Sequence, residues 1–186
     1  ASIPKERIQV YFIDNEDYFK RKATLKDENG EMFKDNDERA IFFAKGVIET
    51  VKKLNWSPDI IHVHGWLASL LPLYLKEYYK DEPLFKDSKV LTSVYSQSFD
   101  ECLNMDLMNK VKFDEIDDSK IENLSTPNYV NLMKNAVDFS DGLIKASPEL
   151  PSDLDQYINS SDKPFLEYQY PEAFAEAYTE FYNTKF

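Results

Sequence analysis

The sequence has little glycine, a single cysteine and no long apolar run, and each shortage excludes a class of protein. Four glycines, scattered along the chain, do not form a glycine-rich phosphate-binding loop. The single cysteine, Cys102, excludes an internal disulfide and fits a reducing compartment, so we expect a cytoplasmic location. No apolar run approaches the roughly 18–20 residues of a membrane helix, so we expect no membrane partner.

Basic residues are also in short supply. The chain has 22 Lys and Arg against 34 Asp and Glu, which gives a formal net charge of −12. Nucleic acid repels such a chain, and the lysines are interleaved with acids, so no nucleic-acid partner is predicted. The rest of the composition, 42% hydrophobic and 15% aromatic, is typical of a folded protein. A length of 186 residues suits a single domain over residues 1–186.

Short segments rich in β-formers alternate with segments of helical spacing. Strands are predicted at residues 9–13, 60–64, 90–94 and 143–146. Asn36 or Asp37 is expected to cap the first helix, and Thr126 the helix before the fourth strand. Strands separated by helices pair in parallel through right-handed crossovers. The predicted fold class is therefore α/β: a three-layer, Rossmann-like parallel sheet with helices on both faces.

Both histidines of the chain, His62 and His64, end the second predicted strand. Residues i and i+2 of a strand share one face, so the two side chains point the same way. The carboxyl edge of an open α/β sheet is where ligands bind. Two interpretations are equally supported: a pocket-lining pair, or two hydrogen-bonded histidines that tether neighbouring loops.

Other chemistries at this edge have less support. Zinc needs three or four ligands, and the chain has no third histidine, so no metal site is predicted. Cys102 with a histidine base would form a nucleophilic pair, although a lone buried thiol is commoner. Tyr95 and Ser96 follow the third strand, where they either line the same pocket or form a turn.

The order of the motifs resembles one family. YFIDNEDYFKR, SPDIIHVHGWLASLLPLYLK, KVLTSVYS and NLMKNAVDFSDGLIKASPEL follow one another as in bacterial glycogen and starch synthases, the retaining glucosyltransferases of glycosyltransferase family 5. Within that family, the chain resembles the short synthase-like proteins of Bacteroidetes-type bacteria. The resemblance implies one half of a two-domain glycosyltransferase B-type architecture. This chain would correspond to most of the N-terminal, acceptor-side domain, and ADP-glucose would bind mainly to the other domain.

The family pattern H-x-H-D-W-H-x-G stands here as HVHGWLAS, which keeps the two histidines and Trp66. The aspartate and the third histidine of the pattern are replaced by Gly65 and Leu67. The histidine thought to assist catalysis is replaced by Tyr95, and no K-x-G-G-L segment is present. The resemblance therefore implies no catalytic residue in this chain. The resemblance and the strand positions together predict five substrate-binding residues: His62, His64, Trp66, Tyr95 and Ser96.

Two functions stay open at this point. The first is glucosyl transfer from ADP-glucose to an α-1,4-glucan, by a chain that is incomplete or altered and therefore inactive or very weak by itself. The second is a non-catalytic glucan-binding or regulatory module on the same fold, and a generic nucleotide-binding protein is a distant third. The expected partners are an α-glucan or maltooligosaccharide and a second domain or oligomer partner. ADP-glucose is the expected donor substrate, and no cofactor is expected.

Overall fold

The structure is a computed structural model that describes residues 2–3, 8–97, 99–113 and 116–186. The chain divides into two compact units, Ala1–Phe33 and Lys34–Phe186. The single domain expected over residues 1–186 stays a prediction, and each unit is described by itself.

The smaller unit contains a short hairpin and one helical turn. Strand β1 (Ser2–Ile3) pairs antiparallel with strand β2 (Ile8–Gln9), and helix α1 (Glu16–Phe19) follows. The predicted parallel strand at residues 9–13 is therefore wrong: only Gln9 lies in a strand, and its partner is antiparallel. Alternation marks an amphipathic segment, but a strand also needs a partner strand, and residues 10–13 belong to no strand in the described part of the chain.

The larger unit is built on a four-stranded parallel sheet. In spatial order, the strands are β3 (Ile60–His64), β4 (Lys89–Val94), β5 (Gly142–Lys145) and β6 (Phe165–Leu166). The parallel pairing of the three predicted strands at residues 60–64, 90–94 and 143–146 is confirmed. β6 was not predicted, because two residues are too few to show an alternating pattern.

Helices precede, join and follow these strands. They are α2 (Asn36–Lys53), α3 (Leu71–Leu73), α4 (Leu107–Lys112), α5 (Tyr129–Asp138), α6 (Ser152–Asn159) and α7 (Phe174–Lys185). Short 3-10 helices lie at Trp66–Ala68, Pro83–Phe85, Asp118–Lys120 and Glu122–Ser125, and α3 continues as a π-helix over Tyr74–Tyr78. None of the helices in the described ranges is both long enough and apolar enough to cross a membrane.

The helix caps differ from those expected. Neither Asn36 nor Asp37 caps α2, because the helix already begins at Asn36. At the start of α5, the side-chain oxygen of Asn128 accepts the backbone N–H of Asn131 at 2.9 Å. Asn128 is therefore the cap, and Thr126 stands two residues before it.

Helices cover both faces of the sheet. Leu91 and Ile144 point to one face, where they are fully buried against Phe181 of α7. Thr92 points to the other face, and its hydroxyl lies 2.7 Å from the hydroxyl of Ser140, just after α5. The predicted three-layer arrangement is therefore confirmed.

Gly65 links β3 to the 3-10 helix that follows. Its backbone has φ 72° and ψ 175°, a region that only glycine occupies without strain. The resemblance places an aspartate at this position. The turn at Gly65 therefore depends on the absence of a side chain, because any side chain, charged or not, is strained in this conformation.

Replacing Gly65 by alanine or by aspartate should lower the free energy of unfolding by about 1–3 kcal/mol, because either side chain is strained at this φ and ψ. Urea denaturation measures the change. A Cβ atom at Gly65 would meet only Gln97 Oε1 at 3.9 Å, so the alanine variant isolates backbone strain from any effect of the carboxylate. Equal stability of the parent and both variants would contradict this prediction.

Candidate functional site at the carboxyl edge of the sheet

His62 is held by hydrogen bonds on both of its ring nitrogens. Nε2 lies 2.7 Å from Ser93 Oγ on β4, and Nδ1 lies 2.7 Å from the Tyr182 hydroxyl on α7. The side chain therefore joins a neighbouring strand to a helix that is 120 residues away in sequence. This geometry is that of a structural tether, which was one of the two interpretations of the pair.

His64 occupies a different environment, although its ring centroid is only 4.0 Å from that of His62. His64 is the last residue of β3 and is exposed. Its Nδ1 lies 2.8 Å from the hydroxyl of Tyr95, which follows β4. His64 and the half-buried Tyr95 thus lie together at the carboxyl edge, and the pocket-lining interpretation of His64 stays a prediction.

The surrounding protein lowers the pKa of both imidazoles. For His62, burial first and then the neighbouring His64 lower the pKa from 6.5 to about 4. For His64, partial burial lowers the pKa below its ordinary value. Both rings are therefore mainly neutral at pH 7, and a neutral imidazole has one donor and one acceptor nitrogen. Such a pair suits hydroxyl groups better than phosphate.

Two other predicted site residues have different surroundings. Trp66 is only 6% exposed, and its ring packs edge-on against Phe99 with centroids 5.9 Å apart. Trp66 is therefore part of the core, and its substrate-binding role stays a prediction. Ser96 is exposed beside Tyr95, and its backbone N–H donates to Ser147 Oγ at 3.0 Å.

A cleft of about 220 Å³ opens next to Tyr95. Besides Tyr95, its lining includes Tyr168, Gln169, Pro171, Phe174 and Tyr178. Tyr95 was predicted from the sequence as a site residue, and the other lining residues were not. The signal that could have found them is the density of aromatic residues in YQYPEAFAEAYTEFY.

The alternative chemistries gain no support from the geometry. In the described ranges, no group of three or more His, Cys, Asp or Glu side chains is placed to hold a metal ion. Cys102 is exposed, which contradicts the expectation of a buried thiol. The ring nitrogens of the two histidines contact the hydroxyls of Ser93, Tyr95 and Tyr182.

The low pKa of His62 predicts a pH dependence of stability. The unfolded chain binds the His62 proton near pH 6.5, whereas the folded chain binds it only near pH 4. Stability should therefore fall as pH decreases from about 6.5 to about 4, by roughly 1–3 kcal/mol after allowing for solvent screening. Urea unfolding of the parent and of His62→Gln across this range measures it.

Glutamine stays neutral at every pH, so the carboxylates contribute equally to both proteins and cancel in the difference. The parent should lose more stability than His62→Gln on acidification. Parallel pH profiles would show that protonation of His62 does not oppose folding.

Known proteins provide an independent comparison. The family model described as the starch synthase catalytic domain matches residues 1–158. The glycogen synthase of Chlorobium luteolum is 38% identical over 148 residues, which cover 79% of this chain and 30% of that protein. The glycogen synthase of Chlorobium phaeovibrioides is 35% identical over 156 residues, which cover 83% of this chain and 31% of that protein. The chain thus spans under a third of the length of these relatives.

A solved structure shows the same fold. The catalytic domain of starch synthase IV from Arabidopsis thaliana, bound to ADP and acarbose, matches with a TM-score of 0.54 and 16% identity. The match covers 73% of this chain and 30% of that one. It supports the predicted glycosyltransferase B-type half-architecture. The family-model match and the identity to the glycogen synthases together show that this chain belongs to the starch synthase catalytic domain family.

Proposed function

We propose that this chain forms the acceptor side of a glucosyltransferase that uses ADP-glucose as donor and an α-1,4-glucan as acceptor. In this proposal, the glucan binds at the carboxyl edge of the parallel sheet. The observation that carries it is the neutral His64–Tyr95 pair at that edge, in a chain of the starch synthase family.

The chemistry of the pair suits a sugar. Each sugar hydroxyl donates one hydrogen bond and accepts others, so its partners need both functions. Burial and the neighbouring Tyr178 raise the pKa of Tyr95, an effect that the Ser93 hydroxyl only reduces. The phenol therefore stays protonated at pH 7. Because the Tyr95 hydroxyl and His64 Nδ1 bond to each other, the pair as a whole keeps one donor and one acceptor for a ligand, at His64 Nε2 and at the phenol. Ser96 lies beside them as a further exposed hydroxyl.

The sugar donor, ADP-glucose, needs different groups from the protein. A leaving diphosphate needs cations or preorganised N–H groups. The 186 residues have a net charge of −12 and no glycine-rich loop. They also carry Gly65 and Tyr95 where the family pattern has aspartate and histidine. Transfer therefore needs groups from a second domain or an oligomer partner, and ADP-glucose acts as substrate without a separate cofactor.

One observation favours a second candidate, a glucan-binding module without catalytic activity. The hydroxyl of Tyr182 occupies Nδ1 of His62, and α7 covers the face on which His62 lies. A histidine engaged in this way is not available to a substrate. The two candidates share the glucan site and differ only in turnover.

The 186-residue chain by itself should not transfer labelled glucose from ADP-glucose to glycogen above background. The reason is that losing even one preorganised donor typically costs about 10²–10³ in rate. A radiolabel incorporation assay with a glycogen primer measures this. Robust incorporation would overturn the acceptor-side assignment and show a catalytically complete chain.

Maltoheptaose should bind weakly, with a Kd in the millimolar range, about −4 kcal/mol. Titration followed by NMR chemical shifts measures this affinity, and His64→Ala should weaken it several-fold. Trp56 is 56% exposed and lies before β3, at the opposite edge of the sheet, so Trp56→Ala is a matched control that should bind like the parent. The absence of saturable shifts in the parent would refute glucan binding.

A further inference from the structure

The walls of the cleft beside Tyr95 come from three parts of the chain, one of which is Ala146 after β5. Tyr95 follows β4, whereas Tyr168, Phe174 and Tyr178 belong to the segment after β6. That segment follows residue 158, where the match to the family model ends. The family match therefore includes Tyr95 and Ala146 but not the rest of the cleft.

Aromatic rings dominate the walls. The rings of Phe174 and Tyr178 meet edge-to-face with centroids 5.7 Å apart, and Tyr178 also approaches His62, with centroids 5.9 Å apart. Phe174 nevertheless keeps 47% of its surface exposed. An aromatic ring that is fixed on one side and open on the other provides an apolar platform for a ligand.

The charges and polar groups of the cleft limit the class of ligand. Among the described residues, no charged side chain lines the cleft, and the chain carries a net charge of −12, so phosphates and carboxylates are disfavoured. The polar groups are the Gln169 amide and tyrosine hydroxyls, which pair with neutral donors and acceptors. A pyranose ring matches these walls, because it has apolar C–H faces and a rim of hydroxyls.

The size of the cleft limits the ligand to one ring. Its volume of about 220 Å³ lies below the range of about 300–1,000 Å³ that is typical of drug-sized ligand pockets. It adjoins Tyr95, which also contacts His64. A single ring in the cleft would therefore lie next to the proposed glucan site.

We propose that this cleft is a subsite for one uncharged pyranose ring, built by the segment after β6, and that it extends the His64–Tyr95 edge by one sugar unit. The identification of that unit as a glucosyl residue of an α-glucan rests on the proposed function. The binding of a neutral pyranose rests only on the cleft itself.

Titration of the 186-residue chain with single sugars tests the subsite. Methyl α-glucopyranoside should produce saturable NMR shifts in residues 168–178, with an affinity in the millimolar range. Glucose 1-phosphate at the same concentrations should produce none, because the cleft has no cation to hold the phosphate. Saturable binding of glucose 1-phosphate in the cleft would overturn the restriction to uncharged rings.

Two variants test the aromatic walls. Tyr168→Ala and Phe174→Ala should each weaken methyl α-glucopyranoside binding by about 2- to 12-fold, the range expected when one aromatic contact is lost. Trp56→Ala removes an exposed ring before β3 and should leave the affinity unchanged. Melting curves of all three variants confirm that each is folded before binding is compared.

The outcomes separate this proposal from the proposed function. If maltoheptaose binding needs His64 but neither cleft variant changes the binding of any sugar, the subsite is refuted and the glucan site stands. If both cleft variants weaken methyl glucoside binding while maltoheptaose does not bind, the subsite stands and the proposed function fails. If the two cleft variants weaken the binding of both methyl α-glucopyranoside and maltoheptaose, both proposals are supported.

Discussion

The packing of the C-terminal helix on one face of the sheet is the interaction on which the rest of the larger unit depends. Phe181 of α7 is buried against Leu91 and Ile144, and Phe186 fills the space left by the missing side chain of Gly142. A Cβ atom at Gly142 would overlap the Phe186 ring. Burying one large apolar side chain of this kind contributes about 1.5–3 kcal/mol to the free energy of unfolding. The packing of α7 therefore contributes much of the stability of this face of the sheet.

The same packing decides the chemistry of the two histidines. Because α7 packs against His62, that ring is half-buried, and its two nitrogens are satisfied by the hydroxyls of Ser93 and Tyr182. His64 lies two residues further along, past the cover, and keeps its exposure and its contact with Tyr95. One pair of histidines therefore has two roles, a structural one inside the sheet and a surface one at its edge.

The family resemblance and the structure assign different meanings to the same residues. Trp66 keeps the family identity but is a core residue, packed on Phe99. Gly65 departs from the family pattern, and its backbone conformation explains why a side chain there would be strained. Most of the residues that line the cleft beside Tyr95 follow the family match, whereas Tyr95 and Ala146 lie within it. Retained residues thus maintain the scaffold here, and the exposed edge is completed by a segment outside the match.

The sequence by itself determined the features that depend on local pattern. Three parallel strands could be predicted because each is a short run of β-formers between helical segments. The closeness of His64 and Tyr95 followed as well, because the carboxyl ends of adjacent parallel strands meet at one edge. The family also followed from the order of motifs. None of these inferences required knowledge of which helix covers which face.

Only the tertiary structure decided the contacts between distant segments. The bond between Tyr182 and His62 spans 120 residues, and no periodic pattern relates two positions so far apart. The burial of Trp66, the cleft around Tyr95 and the absence of residues 10–13 from the parallel sheet have the same origin. Alternation and helical spacing show that a face is apolar, but its partner is selected by the shape and packing of the whole core.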